Sequence, residues 1–263
     1  MSQIVVDRDL CAKDGLCVAV CPDATLRANE EGFPEEVQGA SCVLCGHCVA
    51  VCVCGAITHA GLPEEAMLPV CRDLCTPSQI DGLLISRRSV REFKEQPVSR
   101  ETLEQLLDVA RRAPTAGNSQ KLHWIVIPDA AKVKAVSVEV INWARAHAVG
   151  HTAMVVERWD KEGYDQVLRG APTVVLACAP ADWDWGKDDC TIALAFLELA
   201  AVARGLGACW AGMLTRVAAV HPPVRQLLEL PEGYAVYGGL MLGQPKYKYQ
   251  RVPPRKPLSV QWI

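Results

Sequence analysis

The 263-residue sequence lacks several features that would point to a membrane or a nucleic acid. Its longest apolar run, residues 191–203, is interrupted by Glu198 and is too short to span a bilayer. The N-terminus has no basic stretch followed by an apolar one, so we expect no signal peptide. The formal net charge is only −3, which gives no reason to expect a polyanionic partner. We therefore expect a cytoplasmic protein without nucleic-acid or membrane partners.

Cysteine, by contrast, is abundant, with 13 residues in the chain. Four of them, at positions 42, 45, 48 and 52, follow one another at spacings of three, three and four. A loop with a thiolate every third residue can bind three corners of an iron–sulfur cube, while the fourth thiolate faces another direction. Zinc sites usually combine two separated cysteine pairs, and disulfide frameworks are typical of short secreted chains. The spacing therefore favours an iron–sulfur cluster.

A second run precedes the first and repeats it at an offset of 31 residues. Positions 11, 14, 17 and 21 correspond to positions 42, 45, 48 and 52. Two such runs resemble the bacterial two-cluster ferredoxins, in which the fourth cysteine of each run ligates the other cluster. The resemblance implies two ligand sets: Cys21, Cys42, Cys45 and Cys48 for one cluster, and Cys11, Asp14, Cys17 and Cys52 for the other.

Asp14 departs from this family pattern, because a cysteine usually occupies its position. A carboxylate is a harder ligand for cluster iron than a thiolate. Either Asp14 ligates the fourth iron of a [4Fe-4S] cluster, or that corner is lost and a [3Fe-4S] cluster remains, or the site is degenerate and empty. Val53 also replaces a proline that is usual in the family. We interpret Cys54, Cys71 and Cys75, which lie outside the repeats, as ordinary thiols.

The rest of the chain begins with a proline-containing segment, residues 61–77, that we interpret as a linker. Thr76 or Ser78 is predicted to cap a helix whose buried stripe holds Ile80, Leu83 and Leu84. Ser99 is predicted to cap a second helix, and a strand is predicted at residues 124–127. The apolar face of that second helix comprises Leu103, Leu106, Leu107 and Ala110.

Several motifs then occur in a fixed order. The sequence Arg-Arg-Ser-x-Arg occupies residues 87–91, and Ala-Pro-Thr-Ala-Gly-Asn-Ser-Gln occupies residues 113–120. Gly-Ala-Pro at 170–172 leads into an apolar strand, and a long helix over about 189–204 leads into a loop, Ala-Cys-Trp-Ala-Gly, at 208–212. A late strand over 236–242 is followed by Gly-Gln-Pro at 243–245 and Pro-Arg-Lys-Pro at 254–257. This ordered set resembles the FMN-dependent nitroreductase family over residues 78–263.

The resemblance to nitroreductases implies which residues bind FMN. The segment 87–91 would hold the phosphate and the ribityl chain, a residue near the C-terminus would add a phosphate contact, and residues 115 and 118 would reach the flavin of the other subunit. The residues so implied are Arg87, Arg88, Ser89, Arg91, Arg255, Thr115 and Asn118, with Trp210, Ala211 and Gly212 lining the ring. No catalytic acid or base is assigned.

Together the two resemblances predict an α+β chain in three parts. Residues 1–60 form a two-cluster ferredoxin domain, residues 61–77 a linker, and residues 78–263 an FMN-binding nitroreductase-like domain with a central β-sheet flanked by helices. The resemblance to nitroreductases also implies a homodimer.

The predicted function is an iron–sulfur flavoprotein oxidoreductase. It would pass electrons from a low-potential donor, such as a ferredoxin or NAD(P)H, through the clusters and FMN to a nitroaromatic, a quinone or a conjugated heterocycle. The sequence has no Gly-x-Gly-x-x-Gly after a strand, hence no Rossmann site for a tightly held nicotinamide. The nitroreductase resemblance nevertheless implies that NAD(P)H can reach the flavin. Two alternatives stay open: a redox sensor or electron relay, and a flavin enzyme that oxidises a substrate and exports electrons through the clusters.

Overall fold

A computed structural model describes residues 3–73 and 75–263 of the chain. Residues 1, 2 and 74, which belong to the predicted ferredoxin domain and linker, lie outside the described residues. Contacts between Cα atoms divide the described chain into two compact units. The N-terminal unit comprises residues 3–73 and 117–119, and the C-terminal unit comprises residues 75–116 and 120–263.

The N-terminal unit contains two small antiparallel sheets and two short helices. Strand β1 (Ile4–Val6) pairs with β4 (Ile57–His59), and β2 (Leu26–Ala28) pairs with β3 (Pro34–Glu36). The helices are α1 (Leu16–Ala19) and α2 (His47–Val51), and a 3-10 helix follows at Glu64–Ala66. Each sheet therefore joins one strand from the first half of the repeat to one strand from the second half.

The backbone confirms the 31-residue internal repeat. Helices α1 and α2 begin after Gly15 and Gly46, whose φ angles are +71° and +72°. Two residues before each glycine, Lys13 and Leu44 have φ angles of +56° and +55°. Positive φ is uncommon outside glycine, so its recurrence at matching positions shows that both cysteine loops have the same conformation.

The C-terminal unit is built on one four-stranded antiparallel sheet with the strand order β5-β6-β8-β7. These strands are β5 (His123–Ile127), β6 (Thr173–Pro180), β7 (Gly207–Trp210) and β8 (Tyr234–Gly243). The helices are α3 (Pro77–Ser86), α4 (Arg100–Ala110), α5 (Ala130–Ala146), α6 (His151–Glu162), α7 (Gly186–Ala203), α8 (Gly212–Val220) and α9 (Pro222–Leu227).

Strand β6 runs through the middle of the core. Its side chains alternate between two hydrophobic clusters: Val174 and Leu176 belong to the first, and Val175 and Ala177 belong to the second. Helices α5, α8 and α9 cover the first face of the sheet, and α4 and α7 cover the second. Because both faces are covered, the strand is apolar almost throughout, and the prediction of a central sheet flanked by helices is confirmed.

Helix α3 differs from its prediction in one respect. Thr76 is the N-cap, in a capping box with Gln79, as the sequence indicated. The predicted buried stripe is wrong: Ile80 and Leu84 are 43% and 47% exposed, and Leu83 is only partly buried. The reason is that α3 packs against α7 and is otherwise open to solvent in the single chain.

One further segment also differs from its prediction. Residues 208–212 were expected to form a loop, but 208–210 lie in β7, where Cys209 pairs with Met241, and residue 212 begins α8. The C-terminal residues 260–263 form no regular element and are exposed in the single chain. None of the helices in residues 3–73 and 75–263 is long and apolar enough to cross a membrane.

Candidate functional site

A small cavity in the N-terminal unit is lined by four cysteines. They are the four that the sequence assigns to one cluster: Cys21, Cys42, Cys45 and Cys48. The loop before α2 carries Cys42 and Cys45, α2 itself carries Cys48, and Cys21 directly follows the C-cap of α1. Within residues 3–73 and 75–263, no three His, Cys, Asp or Glu side chains converge closely enough to hold a single metal ion. Four soft sulfur donors around one cavity match the ligand preference of an iron–sulfur cluster.

Hydrogen bonds stabilise the negative charge on two of these sulfurs. The Sγ atom of Cys21 accepts from the backbone N–H of Thr25 at 3.3 Å and lies 2.9 Å from its hydroxyl. Burial raises the pKa of Cys21, but these hydrogen bonds outweigh it and lower the pKa overall. The Sγ atom of Cys42 accepts from the backbone N–H of Leu44 at 3.4 Å and lies 3.5 Å from Nε2 of His59. His59 is therefore a candidate site residue that the sequence did not indicate.

Three members of the second predicted ligand set, Cys11, Asp14 and Cys17, lie at the start of α1, and the fourth, Cys52, follows α2. Burial raises the pKa of Cys17, and the negative charges of Asp14 and Cys11 raise it further, so both groups lie near the Cys17 thiol. The Sγ atom of Cys52 accepts from the backbone N–H of Ala56 at 3.2 Å. The carboxylate of Asp14 accepts from the backbone N–H of Leu16 at 3.1 Å, and so it stabilises the first turn of α1.

In the C-terminal unit, the arginine-rich segment 87–91 runs beside strand β7. The backbone N–H of Val90 donates to the carbonyl of Ala208 at 2.9 Å, and Ser89 forms a β-bridge with the same residue. Gly207 permits this approach, because a Cβ atom there would lie 2.7 Å from the Val90 side chain. The fold thus brings the predicted phosphate-binding segment against the strand that ends at Trp210.

Glu198 connects these two segments. Its carboxylate, in the middle of α7, accepts from Nη1 of Arg87 at 3.0 Å and from Nε1 of Trp210 at 3.3 Å. The residue is only 6% exposed, so these two donors replace the water that would otherwise solvate its carboxylate. Glu198 therefore fixes the orientation of two predicted flavin-site residues, although the sequence showed it only as a break in an apolar run.

The other arginines of the segment keep their charges available. Arg88 donates to the carbonyls of Ile85 and Ser86 at 2.7 and 3.4 Å, and Arg91 donates to the carbonyl of Ser89 at 3.4 Å. Among residues 3–73 and 75–263, neither arginine forms a salt bridge with a carboxylate. Unpaired guanidinium groups and a hydroxyl in one short segment fit a phosphate.

A further arginine near this site, Arg169, was not indicated by the sequence. Burial raises the pKa of Cys209, and the positive charges of Arg91 and Arg169 partly offset the rise, so both arginines lie near that strand. Arg169 has a φ angle of +58° and donates to the hydroxyl of Tyr164 at 2.9 Å. Arg255, which the nitroreductase resemblance places at the phosphate, lies in an exposed C-terminal stretch of the single chain, so its phosphate contact stays a prediction.

A buried carboxylate accepts a hydrogen bond from the loop that carries Thr115. Asp189, 2% exposed at the start of α7, accepts from the backbone N–H of Ala116 at 2.8 Å and from Nε1 of Trp183 at 2.9 Å. The hydroxyl of Thr115 accepts from the backbone N–H of Gln120 at 3.1 Å. Asp189 is a positioning residue that the sequence did not indicate.

Asn118 belongs to the short stretch that groups with the N-terminal unit. Its side-chain amide donates to the carbonyls of Val43 and Leu44, each at 3.0 Å. The contact of Asn118 with a flavin of the other subunit therefore stays a prediction.

Each unit matches the sequence model of one protein family. Residues 84–244 match the sequence model of the nitroreductase family, and residues 3–53 match that of the 4Fe-4S dicluster domain. A putative NADH dehydrogenase/NAD(P)H nitroreductase of Archaeoglobus fulgidus is 28% identical over 169 residues, which cover 62% of this chain and 84% of the relative. The 5,6-dimethylbenzimidazole synthase of Rhodospirillum rubrum is 28% identical over 184 residues, which cover 65% of this chain and 83% of the relative.

Solved structures agree with the fold of the C-terminal unit. A nitroreductase with bound FMN from Bacteroides fragilis has a TM-score of 0.59 at 24% identity, covering 70% of this chain and 99% of that one. An FMN-dependent nitroreductase from Clostridium difficile has a TM-score of 0.58 at 22% identity, covering 71% and 100%. At these identities the likeness concerns the fold.

Proposed function

The chain belongs to the nitroreductase family, and from this we propose that it reduces a small acceptor by two electrons on FMN, with electrons delivered through the N-terminal clusters. It is an oxidoreductase with an N-terminal iron–sulfur domain. The observation that carries the proposal is the cavity lined by Cys21, Cys42, Cys45 and Cys48 in the same chain as a nitroreductase fold. A cluster moves electrons singly, so a flavin in the same protein is a chemically suitable acceptor.

The proposed iron ligands are those of the two cysteine loops. The four cysteines around the cavity would hold one [4Fe-4S] cluster. Cys11, Cys17 and Cys52 would hold three irons of the second cluster. Its fourth iron would be ligated from position 14 or from another residue, or would be absent, as in a [3Fe-4S] cluster.

The proposed FMN site combines segment 87–91 with the end of β7. Arg88, Arg91 and Ser89 would hold the phosphate, because they offer unpaired charge and a hydroxyl side by side. Arg87 is held by Glu198, so we assign it to positioning the segment as well as to the flavin. Bound FMN would supply the chemistry of accepting electrons one at a time and passing them on in pairs.

Other flavin contacts would complete the site. Trp210, Ala211 and Gly212 would line the ring at the junction of β7 and α8. Thr115, Asn118 and Arg255 would act in the homodimer, where the first two reach the flavin held by the partner. Light scattering at low concentration tests this part: FMN-loaded protein should be dimeric, and a fully loaded monomer would contradict it.

Two electron donors are to be compared. The Archaeoglobus relative carries the name of an NADH dehydrogenase/NAD(P)H nitroreductase, which favours NAD(P)H. The iron–sulfur domain of this chain favours a low-potential one-electron donor such as a ferredoxin. We propose the ferredoxin route, because NAD(P)H alone would leave the clusters without a role in turnover.

Anaerobic turnover of a nitroaromatic by the full-length protein tests the proposal. Cys45→Ser removes one thiolate from the cavity and should abolish most turnover with reduced ferredoxin, while dithionite should still reduce the flavin. Cys71→Ser is the matched control, because Cys71 is exposed and outside both ligand sets. Equal ferredoxin-dependent rates in the two variants would show that the clusters are not on the electron path.

A further inference from the structure

Cys54 lies beside the second ligand set, although it falls outside the repeat of four cysteines. Its Sγ atom is 3.7 Å from the Sγ atom of Cys52. The backbone N–H of Ala12, the residue after Cys11, lies near the same sulfur. Cys54 thus contacts one proposed iron ligand directly and the chain next to another.

The internal repeat shows which site position 54 faces. The residue 31 positions earlier is Asp23, and Asp23 lines the cavity that Cys21, Cys45 and Cys48 surround. By the pseudo-twofold relation of the halves, position 54 should line the equivalent site around Cys11, Cys17 and Cys52. A second thiol therefore stands where the other half of the domain has an aspartate.

The backbone supports this equivalence locally. The residues that follow the two positions, Ala24 and Gly55, have φ angles of +51° and +65°. The next residues, Thr25 and Ala56, each donate their backbone N–H to the cysteine four positions earlier, at 3.3 and 3.2 Å. The turn that carries residue 54 is therefore built like the turn that carries residue 23.

Asp14, the other candidate ligand for the fourth iron, already has a structural role. Its carboxylate accepts from the backbone N–H of Leu16 at 3.1 Å. A carboxylate is also a harder ligand than a thiolate and competes poorly for cluster iron. Val53, where proline is usual, does not fix its own φ angle and is 89% exposed, so the chain between Cys52 and Cys54 is free to adjust.

We propose that Cys54 supplies the fourth thiolate of the second cluster, together with Cys11, Cys17 and Cys52, and that Asp14 keeps its hydrogen bond to the backbone N–H of Leu16. The inference rests on the proposed iron–sulfur function. As the Fe–S bond forms, the Cys54 thiol releases its proton to water, and no electron is transferred. The Sγ atoms of Cys52 and Cys54 move apart as each binds its own iron, which the exposed Cys54 side chain permits by rotating about χ1.

Three full-length variants, purified and reconstituted without oxygen, test the proposal. Cys54→Ser removes the thiolate, Asp14→Asn removes the carboxylate charge but keeps an acceptor for Leu16, and Cys71→Ser is the control. Iron and sulfide are measured per chain, and EPR spectra are recorded after mild oxidation. Asp14→Asn and Cys71→Ser should keep about eight irons, whereas Cys54→Ser should lose about one and show a three-iron signal.

Alkylation of the unaltered protein provides a test that needs no variant. In the cluster-loaded protein Cys54 should resist iodoacetamide while Cys71 and Cys75 react, and removal of iron by a chelator should expose Cys54 to the reagent. Mass spectrometry of the digested chain identifies each modified cysteine. Equal labelling of Cys54 and Cys71 in the loaded protein would overturn the proposal even if Cys54→Ser failed to fold.

The remaining outcomes separate this inference from the function on which it rests. A three-iron signal in Asp14→Asn but not in Cys54→Ser would show that Asp14 ligates the fourth iron, and it would overturn the role of Cys54. Unchanged clusters in both variants would also overturn it. If no preparation takes up iron, Cys71→Ser and unaltered protein included, the proposed clusters themselves fail.

Discussion

The Nε2 atom of His59 lies 3.5 Å from the Sγ atom of Cys42. Nδ1 of the same ring accepts from the backbone N–H of Gly61 at 2.9 Å, so in the neutral imidazole Nε2 carries the proton and donates to sulfur. His59 is only 4% exposed, which makes this donor a fixed part of the cavity wall. A donor aimed at a ligand sulfur stabilises the reduced, more negative cluster.

His59→Phe should therefore lower the reduction potential of the cluster at Cys42. The ring is kept and the donor is lost, and the shift should be roughly 60 mV for each 1.4 kcal/mol of lost stabilisation in a one-electron couple. Potentiometric EPR titration measures it. His151→Phe, a change at an exposed residue of the C-terminal unit, should leave the potential unchanged. An unaltered potential in a folded His59→Phe protein would show that the hydrogen bond is not made to a cluster ligand.

Arg88→Ala should weaken FMN binding more than riboflavin binding. The change removes charge-assisted hydrogen bonds to the phosphate, worth about 1.5–3 kcal/mol or roughly 10- to 100-fold in Kd. Fluorescence titration of the apoprotein with both flavins gives the comparison. Arg100→Ala, in an exposed ion pair with Glu104, is the control. If both flavins lose the same affinity, Arg88 supports only the end of α3, through the carbonyl of Ile85.

Arg255→Ala should also weaken FMN binding more than riboflavin binding, but only in the dimer. Arg255 lies in an exposed C-terminal stretch of the single chain, so a phosphate contact requires that stretch to be ordered elsewhere. The same pair of titrations, run on protein whose dimeric state is checked by light scattering, decides the matter. An unchanged Kd for FMN in dimeric Arg255→Ala would remove this residue from the site.

Glu198→Gln should lower the free energy of unfolding by about 1–3 kcal/mol, because Arg87 loses its charged partner and the amide offers one acceptor oxygen to two donors, Arg87 and the Trp210 N–H. Urea unfolding followed by tryptophan fluorescence measures the change. Glu104→Gln breaks an exposed ion pair and should leave the free energy of unfolding almost unchanged. Similar losses in the two variants would mean that the Glu198 contacts add no more than a surface pair.

Cys178 and Cys190 should resist alkylation in the folded protein at pH 8. Burial raises the pKa of each thiol to about 12, so almost no thiolate is present at that pH, and both side chains are fully buried. The exposed Cys71 and Cys75 serve as internal references. Peptide mapping should show labelling at 178 and 190 only after denaturation, and early labelling there would indicate local opening of β6 or α7.

The sequence anticipated the features that depend on local spacing. The cysteine repeat, the caps at Thr76 and Ser99, and the apolar runs of β6 and β8 are all present in the structure. The stripe of α3 was predicted wrongly because periodicity identifies an apolar face but not whether the chain provides something to cover it. Residues 208–212 were misjudged as a loop because the strand there depends on pairing with β8, which is remote in sequence.

The missed site residues have a common cause. Glu198, Asp189 and His59 each contact at least one residue that is 12 to 111 positions away, and no short motif marks such pairs. Glu198 within an apolar helix was nevertheless a usable signal, since a buried carboxylate needs donors nearby. Cys54 was interpreted as an ordinary thiol because it lies outside the repeat of four cysteines, and its contact with Cys52 is apparent only in the structure.

The strand pairing of the N-terminal unit also bears on its origin. β1 and β2 come from the first 31 residues, and each pairs with a strand from the following 31, β4 and β3 respectively. Within one half, the backbone N–H and C=O groups of the strands have no partner strand, so neither half can fold in isolation. A single ancestral copy of this peptide would have had to assemble as a pair of identical chains before duplication and fusion joined them. Circular permutation that separates and rejoins the halves should accordingly preserve the unit.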